Sequence, residues 1–175
     1  HVSGELDCGA HGIYLIDVFG SKELLYRDPA ISCFVPIPLR PRPKPPVLPD
    51  IVTMNHAHST HYTDRPDPGI PHVLRGWSLE FGKPVRHDTQ IRDVRVRNVP
   101  TNIRSYGGDT ERHGNSIFIF ETANLCIAHL GHLHHTLSQQ QLNEIGRVDV
   151  VMVPVDGGAT LDIEGMFEVV QALKA

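Results

Sequence analysis

Residues 53–64 read Thr-Met-Asn-His-Ala-His-Ser-Thr-His-Tyr-Thr-Asp, so His56, His58 and His61 follow directly on the apolar Ile51-Val52. Three imidazoles this close constrain the fold more than any other feature of the chain. Burying them unpaired costs free energy. A divalent cation, by contrast, repays several neutral imidazoles that converge on one point. A second cluster, Ala128-His129-Leu130-Gly131-His132-Leu133-His134-His135, lies downstream, and the two clusters hold seven of the 12 histidines. If both serve one centre, the fold has to bring two distant segments together.

The bulk properties narrow the classes. The 175 residues suit one domain, 1–175, with a real core. A formal net charge of -4, with no basic stripe, argues against a nucleic-acid partner held by phosphate contacts. No stretch reaches the ~18 continuous apolar residues that span a bilayer. Cys8, Cys33 and Cys126 are too few and too scattered for a disulfide framework. Residues 35–49 are rich in proline, which fixes φ and donates no backbone hydrogen bond. They read as an extended connector.

The elements follow from period and punctuation. Gly12–Phe19 and Lys22–Arg27 read as a hairpin around Phe19-Gly20-Ser21, and Asp50–Met54 and His72–Arg75 as short strands. Ile91–Val99 alternates apolar residues with Arg92, Arg95 and Arg97, which suggests a strand with outward arginines; anion binding by them is the alternative. Ser116–Thr122 and Leu125–His129 are strands joined by Ala123-Asn124. Thr136 with Gln139 suggests a capping box, and Gly146 an end, for a helix over 137–145. Val148–Val155 reads as a strand buried on both faces. Asp162 can cap a last helix with the stripe Ile163, Met166, Phe167, Val170 and Leu173.

The first histidine segment resembles the His-x-His-x-Asp-His signature of the metallo-β-lactamase superfamily. His56 and His58 match its first two histidines and His61 its last, with Thr60 at the aspartate position. Leu125–Val155 resembles the family segment in which a strand ends in Gly-Asp, a helix follows, and the next strand ends near Pro-Val-Gly-Gly. Here those landmarks are Gly131-His132, the stretch after Thr136, and Pro154-Val155-Asp156-Gly157-Gly158. The similarity covers roughly residues 47–175 and is closest to zinc-dependent lactonases and phospholipase D-type phosphodiesterases. It implies an α/β (α+β) fold, an αββα sandwich, with the family's last strand and final histidine expected beyond Ala175.

The resemblance also implies the chemistry. Such sites hold one or two zinc ions, and a metal-bound water, with a pKa lowered toward ~7, attacks the substrate. The expected ligands are His56, His58, His61 and His132, with His129 and His135 as further candidates spaced three from His132. His61 is also a possible catalytic group, and Asp156 a residue that orients a ligand imidazole or forms a turn with the glycines. Thr60 and His132 stand where the family carries acids, which favours one zinc over a pair. The implied function is hydrolysis of an ester, lactone or phosphodiester small molecule; the alternative is a non-catalytic metal-binding protein on the same scaffold. A homo-oligomer is compatible with this reading, and related hydrolases often carry an export leader. His134 reads as a surface residue, and His72, His87 and His113 as solvated loop residues.

Overall fold

The computed structural model describes residues 13–16, 22–26, 47–58, 62–80, 82–104, 108–156 and 158–174. The chain divides into two compact units, His1–Pro46 and Val47–Ala175. In the first, β1 (Ile13–Ile16) pairs antiparallel with β2 (Lys22–Tyr26), the two strands expected of a hairpin. The intervening Phe19-Gly20-Ser21, Cys8, Cys33 and most of the proline-rich stretch lie outside the described residues.

The second unit contains the histidines of both clusters. Its small sheet pairs β3 (Ile51–Met54) in parallel with β4 (His72–Arg75), so both strands end on the same side. The large sheet runs β5 (Asp88–Ile91), β6 (Val94–Arg104), β7 (Thr110–Thr122), β8 (Leu125–His129), β9 (Val150–Met152). Its pairs are antiparallel except β8 with β9. The β7–β8 turn places Ala123 at φ 48° and Asn124 at φ 64°, the two positive φ values of a two-residue hairpin whose twist suits the strands.

Side-chain alternation along β6, β7 and β8 assigns the two faces of the large sheet. On one face Val99, Ile117, Ile119 and Ala128 form the core with Ile145 of α1 (Gln139–Ile145) and Met166, Val169 and Leu173 of α2 (Ile163–Leu173). On the other, Ser116 meets the small sheet: its hydroxyl donates to Gly76 O at 2.6 Å and accepts from Asn98 Nδ2 at 2.8 Å. Helices, large sheet and small sheet therefore stack as three layers among the described residues. No helix among them is long and apolar enough to cross a membrane.

Several sequence expectations shift in detail. Ile91–Val99 is two strands, because Arg92 adopts φ 55° and turns the chain between β5 and β6. The arginines there are engaged within the protein. Arg97 donates to Glu144 O and Ile145 O at the end of α1 and to Glu121, and Arg95 pairs with Asp88 and Glu121. The cap of α1 is Ser138 with Gln141, two residues beyond the expected pair. Val150 and Met152 face solvent, so β9 is not covered on both faces by the described residues.

The apolar stripe of α2 also rotates. Met166, Val169 and Leu173 are buried, while Ile163 and Phe167 are 66% and 51% exposed. A helix of period 3.6 accepts steps of three or four equally, and Gly165 and the neighbouring Leu161 admit the side that carries Val169. Leu161 packs against the same core, close to the Gly165 backbone.

Candidate metal centre

The first histidine segment leaves β3 and immediately docks on β7. Asn55 donates from Nδ2 to Ser116 O at 2.7 Å and accepts Ser116 N–H at 3.0 Å through its own carbonyl. His56 forms an isolated antiparallel bridge with Asn115. Beyond the loop, Tyr62 packs edge-on against Trp77, the residue after the end of β4, with ring centroids 5.4 Å apart. Both ends of the histidine loop are thus tied to neighbouring structure.

His56 is the best-defined member. It is 8% exposed, and its Nδ1–H donates to Gly114 O at 2.7 Å. A backbone carbonyl on one ring nitrogen fixes the tautomer and leaves the lone pair on the other. Burial holds its pKa below the ordinary histidine value, opposed by the Gly114 bond and the Glu111 charge. The neutral imidazole is the form a metal needs.

The Gly114 carbonyl reaches His56 because β7 bulges. Its register with β6 passes from Thr101↔Asn115 to Ile103↔Glu111, and His113 inside the irregularity takes φ 57°. The Asn102 side chain accepts the His113 N–H at 3.1 Å and spans the bulge. Extra residues on one strand re-aim backbone groups in this way, often beside functional sites. His113 is therefore part of a strand and only half exposed. His87 likewise differs from the solvated reading: its Nε2 contacts Arg75 O at 2.7 Å and its ring stacks on Phe118.

The second segment is delivered by the end of β8. Leu130 N–H donates to Met152 O, and Gly131 turns the chain at φ 61°. Asn115, which is 0% exposed, grips this turn. Its Oδ1 accepts His132 N–H at 2.8 Å, while its Nδ2 donates to Leu130 O at 3.1 Å and to Thr101 Oγ1 at 2.8 Å. One buried amide thereby joins the His132 turn to the strand position that bridges His56. Sequence reasoning missed Asn115, since nothing in its neighbours marks a contact made 15 to 17 residues away.

The result is a row of four rings. The His56 centroid lies 6.0 Å from that of His58 and 5.1 Å from that of His132, and both pairs are nearly parallel. His132 lies 4.7 Å from His134 at a tilt of 54°. His134 is thus half-buried beside the cluster and not a surface residue. Burial, first, and then the Arg104 charge lower its pKa.

The other sequence candidates lie differently. His61 and Thr60 are outside the described residues. His129 sits on the sheet face opposite Ala128, beside Phe118 in register. His135 accepts Asn102 N–H at Nε2 and bonds Thr136 O through Nδ1, which leaves no ring nitrogen for a metal in this arrangement. Asp156 serves the turn: its Oδ1 accepts the N–H groups of Gly158, Ala159 and Thr160, and its Oδ2 accepts the Thr160 hydroxyl. Those bonds hold its carboxyl below the usual range against the opposing effect of burial, the largest single influence.

The donor set suits a borderline metal such as zinc, because neutral imidazole nitrogens fit it. Among the described residues no three histidine, cysteine or acidic side chains already converge as ligands. The stacked planes explain this: parallel rings do not aim at a common point. Binding has to turn at least one of them, and the second torsion of histidine is broad enough for that at small cost. The donor chemistry and the fixed tautomer of His56 therefore fit a metal, and ring rotation would have to complete the geometry.

Asn115→Leu should uncouple the two segments. The change leaves Leu130 O, His132 N–H and Thr101 Oγ1 short of partners inside the protein, at a cost of about 3 kcal/mol or more. Urea denaturation measures the stability loss and zinc titration the affinity. Unchanged values of both would show that the two segments hold their places without the amide.

The chain is similar to known proteins over most of its length. A profile of the β-lactamase superfamily domain matches residues 14–175. The UPF0173 metal-dependent hydrolase Ta0764 of Thermoplasma acidophilum is 24% identical over 178 aligned residues, covering 94% of this chain and 77% of that protein. A crystal structure described as a Zn-dependent hydrolase of the metallo-β-lactamase superfamily from Thermotoga maritima is 28% identical with a TM-score of 0.48. That match covers 72% of this chain, which spans 55% of the solved one. With a β-lactamase superfamily profile running through nearly its whole length, the layered α/β chain built around these histidines belongs to the metallo-β-lactamase superfamily.

Proposed function

We propose that this chain is a metal-dependent hydrolase that holds zinc at His56, His58 and His132, with His61 as the fourth ligand, and acts on an ester, lactone or phosphodiester small molecule. The observation that carries the reading is His56: a buried neutral ring, oriented by the Gly114 carbonyl, with the His58 and His132 rings alongside. A bound zinc ion supplies Lewis acidity and makes water available as a nucleophile at neutral pH. The chain supplies the rest. Gly114 keeps the proton on Nδ1 of His56, Asn115 holds the His132 turn, and Asn55 fixes the start of the ligand loop. The metal-dependent hydrolase named among its relatives supports this assignment.

A non-catalytic metal-binding protein is the second reading, favoured by Thr60 and His132 standing at the two positions where the family carries acids. A neutral imidazole cannot bridge two ions as a carboxylate does. The expected result is therefore one zinc per chain after dialysis, measured by elemental analysis, and hydrolysis of an aryl ester or bis-aryl phosphate by the zinc-loaded protein. Two chelator-resistant zinc ions would overturn the single-site expectation. Zinc binding with no hydrolysis of either probe would leave the second reading in its place.

A further inference from the structure

The fourth ring of the row carries a feature the other three do not need. Nδ1 of His134 accepts the Arg104 backbone N–H at 3.2 Å. A ring nitrogen that accepts has no proton, so the neutral ring carries its hydrogen on Nε2. That Nε2 is buried and meets no partner. Buried donors are rarely left unmet, and leaving one so costs free energy. The same tautomer separates His134 from His56: with a proton on Nε2 and an acceptor role on Nδ1, the ring has no lone pair left for a metal.

We propose that His134 is the hydrogen-bond donor of the substrate site, its Nε2–H receiving a phosphoryl or carboxylate oxygen held beside His132. The assignment rests on the metallohydrolase reading above. An anionic oxygen placed between a cation on the histidine row and this donor is stabilised from both sides. The surroundings agree in sign. The Arg104 guanidinium acts on the ring as a positive charge, and the opposing Asp156 carboxylate is already taken up by the 158–160 backbone. The donor is shielded from bulk water, so a hydrogen bond made there is worth more than an exposed one. Access requires a covering group to move. The His132 ring lies 4.7 Å away, and a turn of that ring would be one way to open space beside Nε2.

The test uses inorganic phosphate as the probe. Wild type, His134→Phe and His134→Gln are loaded with zinc, assayed for metal content and titrated with phosphate by calorimetry. Zinc content should be equal in all three. Phosphate binding should weaken about tenfold or more in the Phe variant, the worth of one buried hydrogen bond. The Gln variant, which keeps an amide N–H, should recover part of it. Independently of any variant, nitrogen-15 NMR of the wild type should show His134 as the Nε2–H tautomer, with that signal shifting on phosphate addition. Equal phosphate affinity in zinc-loaded wild type and His134→Phe overturns the donor role. So does a fall in zinc content with the Phe variant, which would make His134 a ligand, or a wild type that binds zinc but no phosphate. A wild type that binds no zinc defeats the metallohydrolase reading itself.

Discussion

The double variant His56→Ala/His58→Ala is expected to lose tight zinc binding, with affinity falling by a thousandfold or more, while the chain stays folded. In the proposed site this removes two direct ligands, and loss of even one outer partner of a ligand costs roughly 10- to 100-fold. The scaffold does not depend on them to the same degree. The core of Val99, Ile117, Ile119, Ala128 and the helices lies elsewhere in the unit, and loop ligands carry function on structure packed independently. Some destabilisation will accompany the change, because Gly114 O loses the His56 Nδ1–H, which costs about 1–3 kcal/mol for a buried acceptor. The single variants should separate the roles. His56→Ala should lower both stability and affinity, and His58→Ala, on an exposed ring, affinity alone. Elemental analysis after dialysis and thermal melts provide the readings. Full zinc retention by the double variant would remove the centre from this loop. Complete unfolding would instead mean that the metal is part of the folding free energy.

The histidine row was legible in the sequence where chemistry is local and illegible where it is long-range. His56 and His58 declare themselves by spacing, since two residues apart on an extended segment point to one side. In the second cluster the sequence offers a competing three-residue step that links His129, His132 and His135. That step belongs to a helix. Gly131 at φ 61° starts a non-helical turn, after which His132 and His134, two apart, both reach the row. His135 bonds the Asn102 backbone instead. Asn115, Asn55 and the bulge at His113 were invisible because each works through a partner far along the chain.

The fold shows the same division. The strands β3, β4 and β8, the helix capped by Asp162 and the hairpin pair β1–β2 follow from apolar runs and turn residues. The turn at Arg92 was hidden, because arginine gives no signal for a positive φ. The rotated face of α2 was hidden as well, since the large Phe167 is exposed while the smaller Val169 is buried in the core. Exposure of a large residue follows from which side of the helix the backbone can approach, and that is decided by packing.

Gly131→Ala should be one of the most damaging single-methyl changes among the described residues of the second unit. A Cβ at this position would sit 2.5 Å from Asn55 Nδ2, 2.6 Å from Asn55 Cβ and 2.7 Å from Asn115 Oδ1. Neither asparagine can step aside cheaply. Asn55 donates to Ser116 O at 2.7 Å, and Asn115 holds Leu130 O, Thr101 Oγ1 and His132 N–H. The left-handed backbone adds about 1–2 kcal/mol for any residue with a Cβ, and displacing a buried hydrogen-bonded amide adds about 1–3 kcal/mol for each group left unmet. A loss of about 4 kcal/mol or more follows, together with collapse of the contact between the His56 and His132 segments. Gly108→Ala is the matched control. Its φ is also positive, at 85°, but a Cβ there meets nothing within 4 Å, so it bears the backbone strain alone. Denaturant unfolding of the two variants isolates the steric part of the effect, and zinc titration of the folded fraction reads its consequence at the centre. If Gly131→Ala proved no less stable than Gly108→Ala and bound zinc as wild type does, the two histidine segments would not be held together by the close approach of Gly131 to the two asparagines.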